Sequence, residues 1–205
     1  VKNLTDIFEL EQLLDKINPD HLINCISCEK ISESKSEELE KIFSTLPKML
    51  GEYCTKKNIR LIQVSSDAVF SGKKGNYTEE DVPDPLDDYG KTKLKGEVIK
   101  DGHITLRTSI IGHDRFKKRG LLEWFLDQNN CTLFDRSIFS GITTYEFSNI
   151  ISKIILKNKD LKGLYHISSD PISKFELLSL VKEIYNKETK IKKDSSVEIN
   201  RSLSS

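Results

Sequence analysis

The chain has 205 residues, with 32 basic and 32 acidic side chains and therefore a formal net charge of zero. This balance argues against a protein that binds nucleic acid through its overall charge. With 37% hydrophobic and 31% charged residues, the sequence indicates a globular protein of one domain, or one domain with a small appendage.

The sequence shows no sign of a membrane or secreted protein. No stretch approaches the ~20 consecutive apolar residues of a membrane-spanning helix, and the first ten residues lack the hydrophobic core of a signal peptide. Four irregularly spaced cysteines do not suggest a disulfide framework. Cys25 and Cys28 are two residues apart, but a zinc site would need a second such pair, so we predict no metal site. We therefore expect a cytoplasmic protein that contacts no membrane.

The apolar periodicity predicts alternating helices and strands. In chain order the sequence predicts a helix at 10–17, a strand at 21–26, a helix at 36–57 that Pro47 should kink or break, a strand at 60–64, a helix at 89–100, a strand at 103–107, a helix at 121–128, a short strand at 131–134, a helix at 145–156, a strand at 164–167 and a helix at 175–185. The polar tail from Lys187 to Ser205 is predicted to be a loop.

This alternation predicts an α/β fold with a doubly wound parallel sheet covered by helices on both faces. Ligands of such folds bind at the carboxyl ends of the strands. The segments that follow residues 26, 64 and 107 are therefore expected to line a site.

Three side chains near these strand ends suggest acid–base chemistry. Tyr89 and Lys93 are four residues apart on a predicted helix, so their Cβ atoms should lie about 5–6 Å apart on one face. A phenol with a pKa of about 10 exchanges protons poorly at neutral pH unless a neighbouring cation stabilises the phenolate. Lys93 can supply that charge, and Ser66 can hydrogen-bond a substrate carbonyl, as ketone reduction requires. The spacing alone also fits an exposed tyrosine and lysine on an amphipathic helix.

The surrounding residues carry a family resemblance. The stretches VSSDAVFSG at 64–72, YTEED at 77–81 and YGKTKLKGE at 89–97 stand in a characteristic order. They resemble the extended short-chain dehydrogenase/reductases, and within these the dTDP-4-dehydrorhamnose reductase branch. LRTS at 106–109, GLYH at 163–166 and NRSL at 200–203 extend the resemblance over about residues 5–203.

The resemblance implies reduction of a nucleotide-activated 4-keto-6-deoxysugar by NADPH (or NADH), in the dTDP-rhamnose biosynthesis that serves cell-surface polysaccharides. It implies a partial Rossmann-like NAD(P)-binding domain at 1–130 and a mostly substrate-binding subdomain at 131–205, with the last parts of the sheet interleaved. It also implies a homodimer, paired through the helices at 36–57 and 89–100.

By motif match, the catalytic residues are Ser66, Tyr89 as proton donor, and Lys93, which holds the nicotinamide ribose and lowers the pKa of the tyrosine. The implied cofactor-binding residues are Asn24, Cys25, Ile26, Ser27, Ser65, Tyr89, Lys93, Thr108 and Ser109. The implied substrate-binding residues are Ser66, Asp67, Ala68, Val69, Phe70, Ile110, Ser140, Thr143 and Arg201.

The sequence departs from the family pattern in three places. The family opens with a glycine-rich turn that receives the cofactor pyrophosphate, whereas the first glycine here is Gly51. Three explanations compete: the 205 residues are part of a longer protein, they are a truncated relative, or a partner chain supplies this segment. As given, we expect them to bind NADPH poorly. Ala68 and Ile110 stand where the branch usually has aromatic residues. The resemblance therefore does not fix which sugar the protein would reduce.

Two other functions remain compatible with these residues. One is a non-catalytic binding or regulatory subunit, because the beta subunit of methionine adenosyltransferase resembles the same branch. The other is a sugar-nucleotide epimerase or dehydratase; dehydration usually recruits carboxylates beside the serine, and Asp67 is only one.

Overall fold

The computed structural model describes residues 7–27 and 36–205. The helices are α1 (Ile7–Ile17), α2 (Ser36–Glu40), α3 (Leu46–Lys57), α4 (Asp88–Lys95), α5 (Leu121–Leu126), α6 (Thr144–Ile150) and α7 (Lys174–Ile184). The strands are β1 (His21–Asn24), β2 (Arg60–Val64), β3 (Ile104–Thr108), β4 (Ile110–Ile111), β5 (Asn130–Phe139), β6 (Ile142–Thr143), β7 (Gly163–Ile167), β8 (Ile172–Ser173) and β9 (Lys190–Asn200). None of the helices in these ranges is both long and apolar enough to cross a membrane.

The main sheet has four strands in the order β1-β2-β3-β7. β1 pairs with β2, and β2 with β3, in parallel. Leu61 and Ile62 are adjacent in β2 and therefore point to opposite faces, yet both are fully buried. Both faces of the sheet are thus covered there, and the predicted α/β fold with a parallel sheet is confirmed.

One face of this sheet is covered by α1 and α3. Leu14 of α1 and Leu50 of α3 pack in one cluster with Leu61 of β2. Asn58 ends α3 in the left-handed conformation that asparagine tolerates well, and the chain then turns directly into β2.

The predicted break near Pro47 takes the form of a π-helical turn. The helix that begins at Ser36 widens over Lys41–Thr45, where the N–H of Leu46 donates to the carbonyl of Lys41, and then continues as α3 with Pro47 in its first turn. Proline has no N–H, and its ring would clash with the carbonyl four residues earlier in a regular α-helix. That carbonyl belongs to Phe43, and the wider turn accommodates it.

The chain divides into two compact units, which are interleaved along the sequence. Among the described residues, the first holds those up to Phe70 together with Val82–Arg107 and Ile155–Tyr165. The second holds Ser71–Asp81, Thr108–Ile154 and His166–Ser205. The predicted division at residue 130 stays a prediction.

The second unit has its own small sheet and core. Its three strands have the order β8-β5-β9, and β4 and β6 form a separate parallel pair. Phe125 of α5 and Leu178 of α7 are fully buried with Leu133 of β5 in one cluster.

The prediction of a loop for the tail was wrong. Residues Lys190–Asn200 form β9, which pairs with β5 in parallel over almost its whole length. The strand was missed because it is rich in lysine, a residue that protects edge strands from unwanted pairing, and because only every third side chain is partly buried. The predicted strand at 131–134 is correspondingly longer, at Asn130–Phe139.

Candidate active site

The carboxyl end of β2 continues into a tight turn that holds Ser66. The Ser66 hydroxyl accepts a hydrogen bond from the N–H of Ala68 and donates one to the Asp67 carboxylate, both at 3.1 Å. Ser66 thus caps the short 3₁₀ turn Asp67–Val69.

Helix α4 lies against this turn because it carries a glycine at its contact point. The Asp87 carboxylate caps the helix by accepting from the N–H of Gly90 at 2.7 Å. A Cβ atom on Gly90 would lie only 2.2 Å from the carbonyl oxygen of Ala68. The first turn of α4, which carries Tyr89, is therefore held next to the turn that carries Ser66.

Lys93 lies one turn further along α4 and points inward. Its side chain is buried, with 5% of the residue exposed, and its ammonium donates to the main-chain carbonyl of Val64 at 2.7 Å. Lys93 therefore connects α4 to the carboxyl end of β2.

Phe43 of the π turn touches both α4 residues. Its ring centroid lies 5.5 Å from that of Tyr89, with the rings almost perpendicular at 84°. The Lys93 ammonium lies over the Phe43 ring, 5.1 Å from its centroid. Sequence reasoning missed this residue because it is far from the quoted motifs in sequence.

A buried ion pair lies beside Lys93. Both nitrogens Nε and Nη2 of Arg107 donate to the two carboxylate oxygens of Glu97 at 2.8 Å, and these side chains are 4% and 8% exposed. Ser65 donates to the same carboxylate at 2.8 Å. Glu97 ends the quoted stretch at 89–97 and Arg107 belongs to LRTS, so the motifs contained this pair although its contact was not foreseen. Through its hydrogen bond with Ser65, the ion pair fixes the residue immediately before Ser66.

The end of β1 approaches the same region. Asn24 donates to the side chain of Gln63 at 2.8 Å and accepts from the N–H of Ile26 at 3.2 Å. Desolvation raises the pKa of the Cys25 thiol, and the Lys93 ammonium opposes this rise. Cys25 and Ser27 are exposed, whereas Cys28 lies outside the described residues.

Three of the predicted substrate residues are part of the first unit's interior. Ala68, Val69 and Phe70 are buried at 5%, 0% and 0% exposure. The guanidinium of Arg107 stacks over the Phe70 ring at 5.1 Å. Their side chains pack under the Ser66 turn, and a role in binding substrate stays a prediction.

The remaining predicted residues lie in the second unit, where each has a local contact. Thr108 donates to the carbonyl of Ile167 at 2.8 Å, and the Ser109 carbonyl accepts from Ile142 at 3.0 Å. Ser140 accepts from the N–H of Leu203, Thr143 caps α6, and Ile110 is 39% exposed. Arg201 is partly buried and passes close to Gly72. Their predicted binding roles stay predictions.

The second quoted stretch, at 77–81, forms hydrogen bonds within the loop that contains it. The Tyr77 hydroxyl accepts from the N–H groups of Gly72 and Lys74 at 3.2 and 3.0 Å. Asp81 accepts from the N–H of Thr78 and from the Lys74 ammonium, which lowers the pKa of its carboxyl to about 2. This motif therefore holds its own loop closed.

Within residues 7–27 and 36–205, no three histidine, cysteine or acidic side chains are grouped closely enough to hold a metal ion. The first unit instead places the buried Lys93 ammonium and the Ser66 hydroxyl at the carboxyl end of β2, next to the helical turn that carries Tyr89. Such a set can donate a proton to an oxygen that gains negative charge.

Comparison with known proteins identifies the family. The profile described as the RmlD substrate binding domain matches residues 2–202. The chain belongs to the RmlD substrate binding domain family. The predicted resemblance is thereby confirmed.

Methionine adenosyltransferase 2 subunits beta are similar to the chain over most of its length. The methionine adenosyltransferase 2 subunit beta of Xenopus tropicalis is 27% identical over 207 residues, which cover 90% of this chain and 60% of that protein. The chain spans about 60% of the length of its rat and mouse counterparts as well.

Solved structures of dTDP-4-dehydrorhamnose reductases have the same fold. A hypothetical dTDP-4-dehydrorhamnose reductase from Sulfolobus tokodaii superposes with a TM-score of 0.86 and 27% identity, covering 98% of this chain and 77% of that one. The dTDP-4-dehydrorhamnose reductase of Bacillus anthracis, solved in complex with NADP, gives a TM-score of 0.85 with 21% identity over 99% of this chain and 77% of that chain.

Proposed function

We propose that the protein is a reductase of the short-chain dehydrogenase type, which uses NADPH or NADH to reduce a nucleotide-activated 4-keto-6-deoxysugar. The observation that carries this proposal is the buried Lys93 ammonium, held on the Val64 carbonyl one helical turn from Tyr89. Burying a charge costs free energy, so an ammonium kept at this strand end favours a functional role. The similarity to dTDP-4-dehydrorhamnose reductases supports the choice of substrate class.

The residues of this chain would have separate roles in the reaction. Tyr89 donates its phenolic proton to the sugar oxygen, and the charge of Lys93 makes that proton easier to lose. Ser66 donates a hydrogen bond to the same oxygen. The buried ammonium and the side chains at the ends of β1 and β2 fit a cofactor with ribose hydroxyls, and Lys93 would hold the nicotinamide ribose. When bound, the cofactor supplies the hydride that adds to the carbonyl carbon.

The wider setting of the proposal follows from its substrate class. Activated deoxysugars are precursors of polysaccharides, so we place the enzyme in dTDP-rhamnose or related cell-surface polysaccharide synthesis, in the cytoplasm. A homodimer paired through α2, α3 and α4 belongs to the same proposal.

A second candidate function is that of a non-catalytic regulatory subunit. The similarity to methionine adenosyltransferase 2 subunit beta favours it, since it covers 90% of this chain. In this case Tyr89 and Lys93 would bind a ligand without catalysing a reaction. The protein would associate with a methionine adenosyltransferase catalytic subunit.

Isotope transfer separates these functions. Because we expect the 205 residues to bind NADPH poorly, the protein is incubated with a high concentration of NADPH deuterated at the transferred position and with a dTDP-4-keto-6-deoxyhexose. The product is analysed by mass spectrometry and NMR. The proposal predicts one deuterium at C4 of a 4-hydroxy product. Product without net deuterium would indicate an epimerase or dehydratase. No turnover, together with a stable complex with a methionine adenosyltransferase in analytical ultracentrifugation, would favour the regulatory subunit.

A further inference from the structure

Phe43 has no place in the chemistry described above, yet its side chain contacts both Tyr89 and Lys93. It is 2% exposed. A cation over an aromatic face is attracted by the ring's negative charge density. Lysine has a flexible four-carbon stem, so a ring beneath the ammonium restricts where that ammonium can lie.

The backbone that carries Phe43 is unusual for a local reason. Pro47 prevents a regular α-helical turn at this point, because its ring would strike the carbonyl of Phe43. The π turn Lys41–Thr45 moves that carbonyl aside. Single π turns inside helices occur frequently at functional sites.

The displaced carbonyl lies against Gly96, the residue that directly follows α4. A Cβ atom on Gly96 would lie 1.8 Å from the Phe43 carbonyl oxygen and 3.3 Å from the Pro47 ring. The Phe43 carbonyl belongs to the main chain, so it cannot move aside as easily as the tip of a flexible side chain. The lack of a side chain at Gly96 therefore lets the π turn approach the helix that carries Tyr89 and Lys93.

We propose that Phe43 is a positioning residue, which holds the Lys93 ammonium and the Tyr89 ring in their relative geometry. The proposal rests on the proposed function, because it assigns Phe43 a task within that site. Val64 fixes the ammonium from the strand side at 2.7 Å, and Phe43 fixes it from the side of the π turn. The perpendicular contact of Phe43 with Tyr89 orients the phenol against the same ring.

The kinetic test compares Phe43→Leu with Phe125→Leu. Both phenylalanines are buried, at 2% and 0% exposure, but Phe125 packs in the core of the second unit. In Phe43→Leu we expect kcat to fall by about threefold to thirtyfold, the range that a cation–π contact supports. We expect KM for the sugar substrate to change less than about twofold. The alkaline limb of the pH–rate profile should move to higher pH, because an ammonium that is held less firmly stabilises the Tyr89 phenolate less. Phe125→Leu should leave the profile in place.

A second variant moves the backbone without touching the ring. Gly96→Ala drives the Phe43 carbonyl away from α4, so it should reproduce the loss of kcat and the displaced profile. Unchanged kcat and an unchanged pH profile in the folded Phe43→Leu protein would overturn the proposal.

A spectroscopic readout keeps the inference separate from the proposed function. In protein labelled at the lysine Cε, the signal of Lys93, assigned with Lys93→Arg, should be shifted upfield by the aromatic face. Loss of that shift in Phe43→Leu, and its retention in Phe125→Leu, would support the contact even if the wild-type protein reduces no sugar. A Lys93 signal that is the same with and without Phe43 would refute it.

Discussion

The ammonium of Lys93 donates a hydrogen bond to the carbonyl of Val64, which lies 29 residues earlier in the chain. This hydrogen bond joins helix α4 to the carboxyl end of β2. It makes the position of the proposed acid–base pair depend on the sheet. Tyr89, on the same helix, is placed by the same contact.

Removing the Lys93 charge should abolish most of the turnover. We expect Lys93→Met to lower kcat for ketone reduction by about 10²-fold or more, since acid catalysis by a positioned side chain contributes 10²–10⁴-fold. Lys91→Met is the matched control, because Lys91 lies two residues away with a side chain that is 53% exposed. Steady-state kinetics measure both. Equal kcat values in the two variants would show that the buried ammonium takes no part in the reaction.

Breaking the buried ion pair should cost stability. Glu97→Gln leaves the Arg107 charge buried without a counterion, and we expect the free energy of unfolding to fall by about 3–5 kcal/mol. The double variant Glu97→Leu/Arg107→Met should recover much of this loss, because it leaves no unpaired charge. Glu40→Gln, which breaks the exposed pair with Lys95 at 3.1 Å, should cost less than about 1 kcal/mol. Urea denaturation distinguishes these cases, and a Glu97→Gln loss as small as that of Glu40→Gln would contradict the account.

The loop at 77–81 should show a defined acid sensitivity. The pKa of Asp81 is lowered from 3.8 to about 2 by hydrogen bonds from the Lys74 ammonium and the Thr78 N–H. A carboxyl whose pKa is lower in the folded state stabilises the protein above its unfolded pKa, and this stabilisation is lost as the pH falls from about 4 to about 2.

We therefore expect Asp81→Asn to reduce the melting temperature at pH 7 and to lose less stability than wild type between pH 4 and pH 2. Melting curves over this range give the comparison. The exposed Asp160, substituted to Asn, serves as control and should follow the wild-type curve. If Asp81→Asn also follows that curve, the ion pair does not stabilise the folded protein.

Sequence reasoning located most of the first unit because its signals are local. Strands such as β2 and β3 are short apolar runs between polar segments, and the spacing of Tyr89 and Lys93 fixes their shared helix face. The capping aspartate at 87 and the start of α4 follow the same local rules. The proposed acid–base pair was therefore predictable.

The contacts that complete the site depend on distant residues. Pro47 indicated a break, but whether a proline produces a kink, a gap or a π turn depends on what packs against it, here Gly96. The position of Phe43 follows from that packing and has no signal in a single sequence. β9 was missed for a similar reason, since its pairing with β5 outweighs its polar composition.

The most direct test of the central claim substitutes the proposed proton donor. Tyr89→Phe keeps the ring and its contact with Phe43 but removes the hydroxyl, whereas Tyr145→Phe removes the hydroxyl of a tyrosine that is 73% exposed in the second unit. Both are assayed for NADPH-dependent reduction of a dTDP-4-keto-6-deoxyhexose. We predict that Tyr89→Phe loses at least about 10²-fold in kcat while Tyr145→Phe turns over like wild type. Full turnover in Tyr89→Phe would contradict the proposed mechanism.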